Sequence, residues 1–222
     1  NVSLFLGNGD GTFAAPTTVE PGGIGETTLA PADANGDGIL DLFVGSYDDN
    51  QVILLLGDGQ GGFTVSDRVQ INGSAWMLAT GDLDGDGDLD LLLPMYPSED
   101  PSPEQIEAGE YVDGVPSELL ENRDGRFVDR SDLLPADTND GHPFVAGWQD
   151  LDDDRRPDLL TANDHGVDIR SNRAWRNTGE GFVDISAETG MDAALDSMGI
   201  GIGDMNGDLI PDMVYTGWGE FA

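Results

Sequence analysis

The 222-residue chain carries 44 acidic against nine basic residues, a formal net charge of −35, and has neither Cys nor Lys. This acidic excess argues against nucleic acid and anionic membranes as partners, because both would repel the surface. The lack of Cys excludes disulfides and thiol catalysis, and no apolar run reaches the roughly 18 residues of a membrane span.

The first recognisable element is a Gly-rich turn that ends in an aromatic residue, at residues 7–13. Three later segments have the same form, at residues 57–63, 122–127 and 177–182. Short apolar stretches flank these turns, so each turn is predicted to connect two strands of a β-hairpin.

An acidic nonapeptide, Asp-x-(Asp/Asn)-x-Asp-x-x-x-Asp, occurs four times between these turns. We number the copies as loops one to four; they occupy residues 33–41, 82–90, 150–158 and 204–212. Runs of two to four mostly apolar residues precede and follow each loop, which favours a second hairpin. Two hairpins per repeat make a four-stranded unit, the usual size of a propeller blade. The sequence therefore predicts an all-β propeller with about four repeats, forming one domain over residues 1–222.

The spacing of the repeats is regular except at residues 94–116, a Pro- and Glu-rich stretch that is predicted to be an inserted loop. It is a candidate recognition loop, with an acidic spacer as the alternative; its notable residues are Tyr96, Glu99, Asp100, Glu104, Glu107, Glu110 and Tyr111. At the chain ends, two arrangements stay open. The last and first strands could pair and close a four-bladed ring, or the chain could be a window of a larger ring.

The residues of loop two, Asp-Leu-Asp-Gly-Asp-Gly-Asp-Leu-Asp-Leu at 82–91, followed by a Gly-rich turn and Phe, resemble the FG-GAP/VCBS repeat of integrin-α-like β-propellers. Residues 175–182 and 197–208 are similar to bacterial relatives of cartilage acidic protein. The resemblance implies four-stranded blades around Asp-rich calcium loops, in rings that usually have seven blades. Such propellers serve as adhesion modules, lectins, scaffolds and occasionally lyase or dehydratase domains.

The acidic loops are predicted to bind calcium, because carboxylates that converge on one point repel each other and calcium accepts six to eight oxygen ligands. Positions one, three, five and nine offer side-chain oxygens and position seven a backbone carbonyl, for about four structural Ca²⁺ ions. The predicted ligands, loop by loop, are Asp33, Asn35, Asp37, Ile39 and Asp41; Asp82, Asp84, Asp86, Asp88 and Asp90; Asp150, Asp152, Asp154, Arg156 and Asp158; and Asp204, Asn206, Asp208, Ile210 and Asp212.

An EF-hand is excluded, because position twelve is never the required Glu; it is Val44, Leu93, Thr161 and Tyr215. Acidic turns without metal are the remaining alternative. We expect loop two to bind most tightly, because it has four carboxylates and Gly87 at position six, where a left-handed turn is predicted. Loops three and four have Arg155 and Leu209 there, at a cost of roughly 1 kcal/mol each.

Residues outside the loops offer little sign of catalysis. His142 is predicted to be structural, and His165 to lie in a solvated loop, with acid–base chemistry as its alternative. The latter belongs to a polar cluster with Asp168, Arg170 and Arg173. No catalytic motif is present, so the chain is predicted not to be an enzyme. Strand packing is the default role of the Trp residues, whereas Trp218 could stack on a sugar; the others are Trp76, Trp148 and Trp175.

The leading functional hypothesis is a calcium-stabilised binding or adhesion module that is secreted, displayed on the cell surface or periplasmic. Its ligand would be a protein or a glycan, with neither nucleic acid binding nor membrane insertion. One alternative is a carbohydrate-binding or polysaccharide-processing propeller. Another is a structural repeat of an extracellular assembly, in which blade edges pair between chains.

Overall fold

The computed structural model describes residues 1–95, 102–108, 116–123, 125–139, 142–164 and 170–217. Within these residues the chain forms 16 β-strands, two short α-helices and two 3₁₀ turns. The predicted all-β fold is confirmed. Every strand pairing is antiparallel and joins strands that are consecutive in the chain.

The strands form five sheets, of which the first and last have two strands each and the middle three have four. The N-terminal sheet pairs β1 (Val2–Leu4) with β2 (Thr17–Val19). The first four-stranded sheet consists of β3 (Glu26–Ala32), β4 (Asp41–Ser46), β5 (Gln51–Gly57) and β6 (Phe63–Gln70). The second consists of β7 (Ala79–Gly81), β8 (Asp90–Leu93), β9 (Glu118–Asn122) and β10 (Phe127–Asp129).

The third four-stranded sheet consists of β11 (Pro143–Gln149), β12 (Asp158–Asn163), β13 (Arg173–Asn177) and β14 (Phe182–Asp184). The C-terminal sheet pairs β15 (Ser197–Gly203) with β16 (Asp212–Gly217). Two helices complete the described elements, α1 (Pro103–Ala108) and α2 (Ser186–Thr189). Both predicted hairpins are thus present in the three four-stranded sheets, where an acidic loop joins the first two strands and a Gly-rich turn joins the last two. In the described residues the N-terminal sheet has only the hairpin of the Gly-rich turn, and the C-terminal sheet only that of the acidic loop.

Neighbouring sheets pack face to face in chain order. Alternate residues of a strand point to opposite faces, so a middle strand contributes side chains to the interfaces on both sides of its sheet. Phe43 and Leu54 of the first four-stranded sheet pack with Leu91 and Leu93 of the second. The intervening Val44 and its neighbours face the N-terminal sheet. Full burial of such a side chain contributes about 2 kcal/mol. The middle strands are therefore apolar on both faces instead of alternating with polar residues.

The first strands of successive sheets lie side by side, since β3 contacts β7, β7 contacts β11, and β11 contacts β15. The pairing of the last strands with the first, which would close a four-bladed ring, is not found among the described residues. There β1 pairs with β2, and β16 pairs with β15.

The insertion at residues 94–116 contains α1, a short helix that the sequence interpretation as a plain loop did not predict. Its start is capped reciprocally: the Ser102 N–H donates to Gln105 Oε1 at 2.8 Å, and the Gln105 N–H donates to Ser102 Oγ at 3.3 Å. Residues 96–101 and 109–115 of the insertion lie outside the described residues, including Tyr96, Glu99, Asp100, Glu110 and Tyr111.

The strand role predicted for the Trp residues is confirmed for two of them. Trp175 in β13 is 1% exposed, and Trp148 in β11 packs against Phe182 with ring centroids 6.1 Å apart. The strand placement of Trp76 is wrong, because it lies between β6 and β7 and is 42% exposed, with its ring edge-on to Tyr47. No helix in the described part of the chain is long and apolar enough to cross a membrane.

Candidate metal centres

The carboxylate at position one organises the first half of each acidic loop. Asp33 accepts the N–H of Asp37 at 3.1 Å and of Gly38 at 2.8 Å. Asp150 and Asp204 accept the same two N–H groups of their own loops. In loop two, Asp82 accepts the N–H groups of Gly85 and Gly87, at positions four and six. In all four loops these bonds turn the backbone around the position-one carboxylate.

Tight winding of the loop requires left-handed backbone at position six. Gly38 and Gly87 have φ of 83° and 95° there, as predicted. Arg155 and Leu209 have φ of 71° and 68° at the same position, a conformation that costs a non-Gly residue about 1 kcal/mol. Loops three and four therefore keep the geometry in spite of local strain.

The carboxylate at position nine ties its loop to the second hairpin of the same sheet. Asp90 accepts the Leu83 N–H at 2.6 Å with one oxygen and the Asn122 N–H at 2.9 Å with the other. Asp158 is held in the same way by Leu151 and Asn177. Each of these oxygens keeps a lone pair for a further partner.

Burial without a counter-charge makes the ionised state of these carboxylates costly. Removal from water raises the pKa of Asp90 to about 7, although two backbone N–H groups lower it and nearby Asp84 and Asp86 raise it further. The pKa of Asp158 is raised for the same main reason. The pKa of Asp84 is also raised, first by burial and then by Asp86. A cation among these oxygens would relieve the cost.

Two loops bring three carboxylates together closely enough to hold a metal ion. One oxygen each from Asp82, Asp84 and Asp86 lies within 4.8 Å of the others. The same holds for Asp150, Asp152 and Asp158. Loops one and four have the amides Asn35 and Asn206 at position three, so fewer carboxylates are available there.

The remaining ligand assignments stay predictions. At position seven, whose carbonyl is a predicted ligand, the backbone N–H donates to the position-five carboxylate. The distances are 2.8 Å for Ile39, 2.8 Å for Asp88, 2.9 Å for Arg156 and 2.9 Å for Ile210.

Two buried asparagines, Asn122 and Asn177, were missed from the sequence. Each ends the third strand of its sheet and donates to the position-two carbonyl of the preceding acidic loop, Ala34 or Leu83. Each also donates to the position-eight carbonyl of its own loop, Leu89 or Pro157. These amides therefore join the acidic loops of successive repeats. The sequence signal that could have identified them is their shared position at the start of a Gly-rich turn.

Outside the loops, the structure describes only part of the predicted polar cluster. Arg173 pairs with Asp184 at 2.5 Å, at the edge of the third four-stranded sheet. His142 is buried and its carbonyl accepts the Asp164 N–H at 3.3 Å. His165, Asp168 and Trp218 lie outside the described residues.

A cavity of about 150 Å³ lies between the second and third four-stranded sheets. Its wall combines the apolar Leu83 and Phe182 with the charged Asp84, Glu121 and Arg130. Glu121 is buried and pairs with Arg123 and, at 2.5 Å, with Arg130. The cavity therefore combines an apolar side with several fixed polar groups, as small-ligand sites do.

Comparison with known proteins places the chain among repeat proteins. The FG-GAP-like repeat model matches residues 1–44, 33–93 and 150–215. The fold is similar to a lectin of Agrocybe aegerita whose structure is described as recognising non-reducing terminal N-acetylglucosamine, with a TM-score of 0.58 and 18% identity. The match covers 96% of this chain and 54% of the lectin, so the chain spans about half its length. No curated protein matches the sequence. Because the matched repeats cover more than half of its residues, the chain belongs to the FG-GAP-like repeat family.

Proposed function

We propose that the chain is a calcium-stabilised β-propeller module that binds a protein or glycan ligand outside the cell. The observation that carries the proposal is the convergence of three carboxylate oxygens within 4.8 Å in each of loops two and three. Oxygen donors in flexible loops suit calcium, which accepts six to eight of them.

The position-nine aspartate explains how an ion in the loop would stabilise the sheet. Asp90 is fully buried and is bonded to both the acidic loop and β9, through the N–H groups of Leu83 and Asn122. Calcium would neutralise this carboxylate and its neighbours in loop two. The ion would thereby hold loop two and the second hairpin of the same sheet together. It would also remove the free-energy cost of burying a negative charge among other negative charges.

Calcium binding is tested by titration calorimetry on three proteins. The parent chain is expected to bind about four ions, and Asp82→Asn one fewer, because a hard cation binds an amide more weakly than a carboxylate. Asp192→Asn is the matched control, since Asp192 is exposed and lies outside the loops. Equal stoichiometry in all three proteins would overturn the assignment of loop two.

The same chemistry supports the proposed extracellular location. Sites of modest affinity are filled at the millimolar calcium of extracellular fluids and empty at cytosolic concentrations. Secretion, surface display and a periplasmic location all satisfy this condition. Localisation of a tagged full-length protein tests it, and a cytosolic signal would contradict it.

Glycan binding is the second candidate, and the cavity between the second and third four-stranded sheets favours it. Phe182, which is mostly buried against Trp148, forms part of the cavity's apolar side, and the Glu121–Arg130 pair supplies fixed polar groups. Because the similar lectin is described with terminal N-acetylglucosamine, that sugar is the first probe. Binding that Phe182→Leu abolishes, while exposed Val183→Leu retains it, would favour this candidate.

Catalysis is not part of the proposal. The polysaccharide-processing alternative predicts turnover of a polymeric glycan, whereas a binding module predicts binding without product. Incubation with polysaccharides and analysis of the reducing ends separates the two, and released oligosaccharides would refute the non-enzymatic assignment.

A further inference from the structure

The third acidic loop has cations at two positions where the second has anions. Position seven is Arg156 in loop three and Asp88 in loop two. The residue directly before the buried asparagine of the third strand is Arg176 in one repeat and Glu121 in the other. The two strands have the same register with their neighbours, so these positions are structurally equivalent.

Both arginines contact carboxylates of loop three. The Arg156 guanidinium contacts Asp154, and its Nε donates to the Asn177 carbonyl at 3.0 Å. Arg176 Nε lies 3.0 Å from Asp152 Oδ2. Each arginine is thus placed on a predicted metal ligand of its own repeat.

The second loop has a different electrostatic environment. Glu121, equivalent to Arg176, pairs with Arg123 and Arg130. In the second repeat this position is therefore an anion held by two arginines, whereas in the third repeat it is a cation that pairs with the acidic loop itself.

The three carboxylates that converge also differ between loops two and three. In loop two the position-five carboxylate, Asp86, belongs to the group of three. In loop three the group consists of Asp150, Asp152 and Asp158, and Asp154 at position five is paired with Arg156 instead. An arginine therefore occupies one of the predicted calcium ligands of loop three.

We infer that Arg156 and Arg176 are intramolecular counter-ions of the third acidic loop, which hold it in shape without metal and make it bind calcium more weakly than loop two. The inference rests on the proposed calcium binding. Loops two and three each have four side-chain carboxylates, so ligand count alone predicts similar affinities, and the left-handed Arg155 accounts for part of any difference. Repulsion from two adjacent guanidinium groups is expected to weaken calcium binding by about tenfold.

Nuclear magnetic resonance can report each loop separately, because one backbone N–H in each donates to the position-nine carboxylate. The reporters are Ala34, Leu83, Leu151 and Met205. Calcium titration of the ¹⁵N-labelled chain is expected to saturate Leu83 at about tenfold lower calcium than Leu151. In excess chelator, Leu151 is expected to stay protected from hydrogen exchange while Leu83 loses protection.

Three variants test the role of the arginines. Arg156→Ile introduces the residue of loops one and four. It should tighten calcium binding by loop three by about threefold, half of the free-energy effect of the two arginines, and should lower the protection of the Leu151 amide in chelator. Asp88→Arg places the cation in loop two and should weaken calcium binding by that loop. This variant keeps the inference testable even if Arg156→Ile does not fold. Arg126→Ile is the control, because it removes the same charge from an exposed turn of another repeat.

The outcomes separate the inference from the proposed function. Calcium saturation with equal affinity in loops two and three, unchanged in Arg156→Ile, would overturn the inference and leave calcium binding intact. A lack of saturable shifts in all four reporters would overturn calcium binding. Even then, equal protection of Leu151 in the parent and in Arg156→Ile would by itself refute the counter-ion role.

Discussion

The side-chain amide of Asn122 donates a hydrogen bond to the carbonyl oxygen of Ala34, which lies 88 residues earlier in the chain. It also donates to the Leu89 carbonyl at 3.2 Å, and its own oxygen accepts the Gly125 N–H at 2.9 Å. One buried side chain therefore satisfies three backbone groups that belong to two repeats.

We predict that Asn122→Ala lowers the free energy of unfolding by about 3 kcal/mol, because three buried backbone groups lose their partner. Asn177→Ala should have a similar effect, since Asn177 makes the equivalent bonds in the next repeat. Exposed Asn8→Ala is the control and should change stability by less than about 0.5 kcal/mol. Urea denaturation measures all three, and equal midpoints for Asn122→Ala and Asn8→Ala would contradict the assigned role.

Replacement of the left-handed residue of loop four is predicted to stabilise the protein. Leu209 has φ of 68° and is 91% exposed, so its side chain contributes little packing. Leu209→Gly should raise the free energy of unfolding by up to about 1 kcal/mol through relief of backbone strain. Leu209→Ala keeps the strained backbone and should give no such gain. A glycine variant less stable than the alanine variant in urea would show that strain is not the dominant effect.

The buried carboxylate of Glu118, which lies outside the metal loops, is expected to make the free energy of unfolding depend on pH. Its side chain is 5% exposed and accepts the Asn72 N–H at 2.6 Å. Burial is the main cause of its raised pKa, and the nearby charge of Asp129 adds to it. The folded state therefore binds this proton more tightly than the unfolded state, and the associated stability is lost as pH rises through the folded pKa.

Glu118→Gln should remove the loss of stability at high pH, because glutamine keeps the acceptor oxygen without the charge. The variant is expected to be more stable than the parent chain at about pH 8 and equally stable near pH 4. Free energies of unfolding at the two pH values test this. A variant that is less stable at the higher pH would show that the carboxylate contributes more through its bonds than it costs through burial.

Local features of this fold could be predicted from sequence, because each depends on a short repeated pattern. The acidic loops, the hairpins and the left-handed position six follow from the spacing of Asp, Gly and apolar residues. The capped helix α1 was also local, since its signal is Ser102 followed by Gln105, but the Pro-rich context favoured a loop.

Features that depend on contacts between distant parts of the chain could not be predicted. The role of Asn122 requires the carbonyl of Ala34 in the preceding repeat, and that of Arg176 requires Asp152 on the acidic loop of its own repeat. Trp76 was assigned to a strand on its local apolar pattern, yet it lies beside Tyr47 outside the sheets. In each case the partner is distant in the chain, and a single sequence carries no direct signal for it.

The melting temperature in millimolar calcium and in excess chelator tests the central claim most directly. A site filled at about 100 times its Kd adds about 2.7 kcal/mol, so several filled loops should raise the melting temperature by about 10 °C or more. Magnesium at the same concentration should give a much smaller shift, because it requires stricter octahedral geometry. Identical melting in calcium and in chelator would contradict the account.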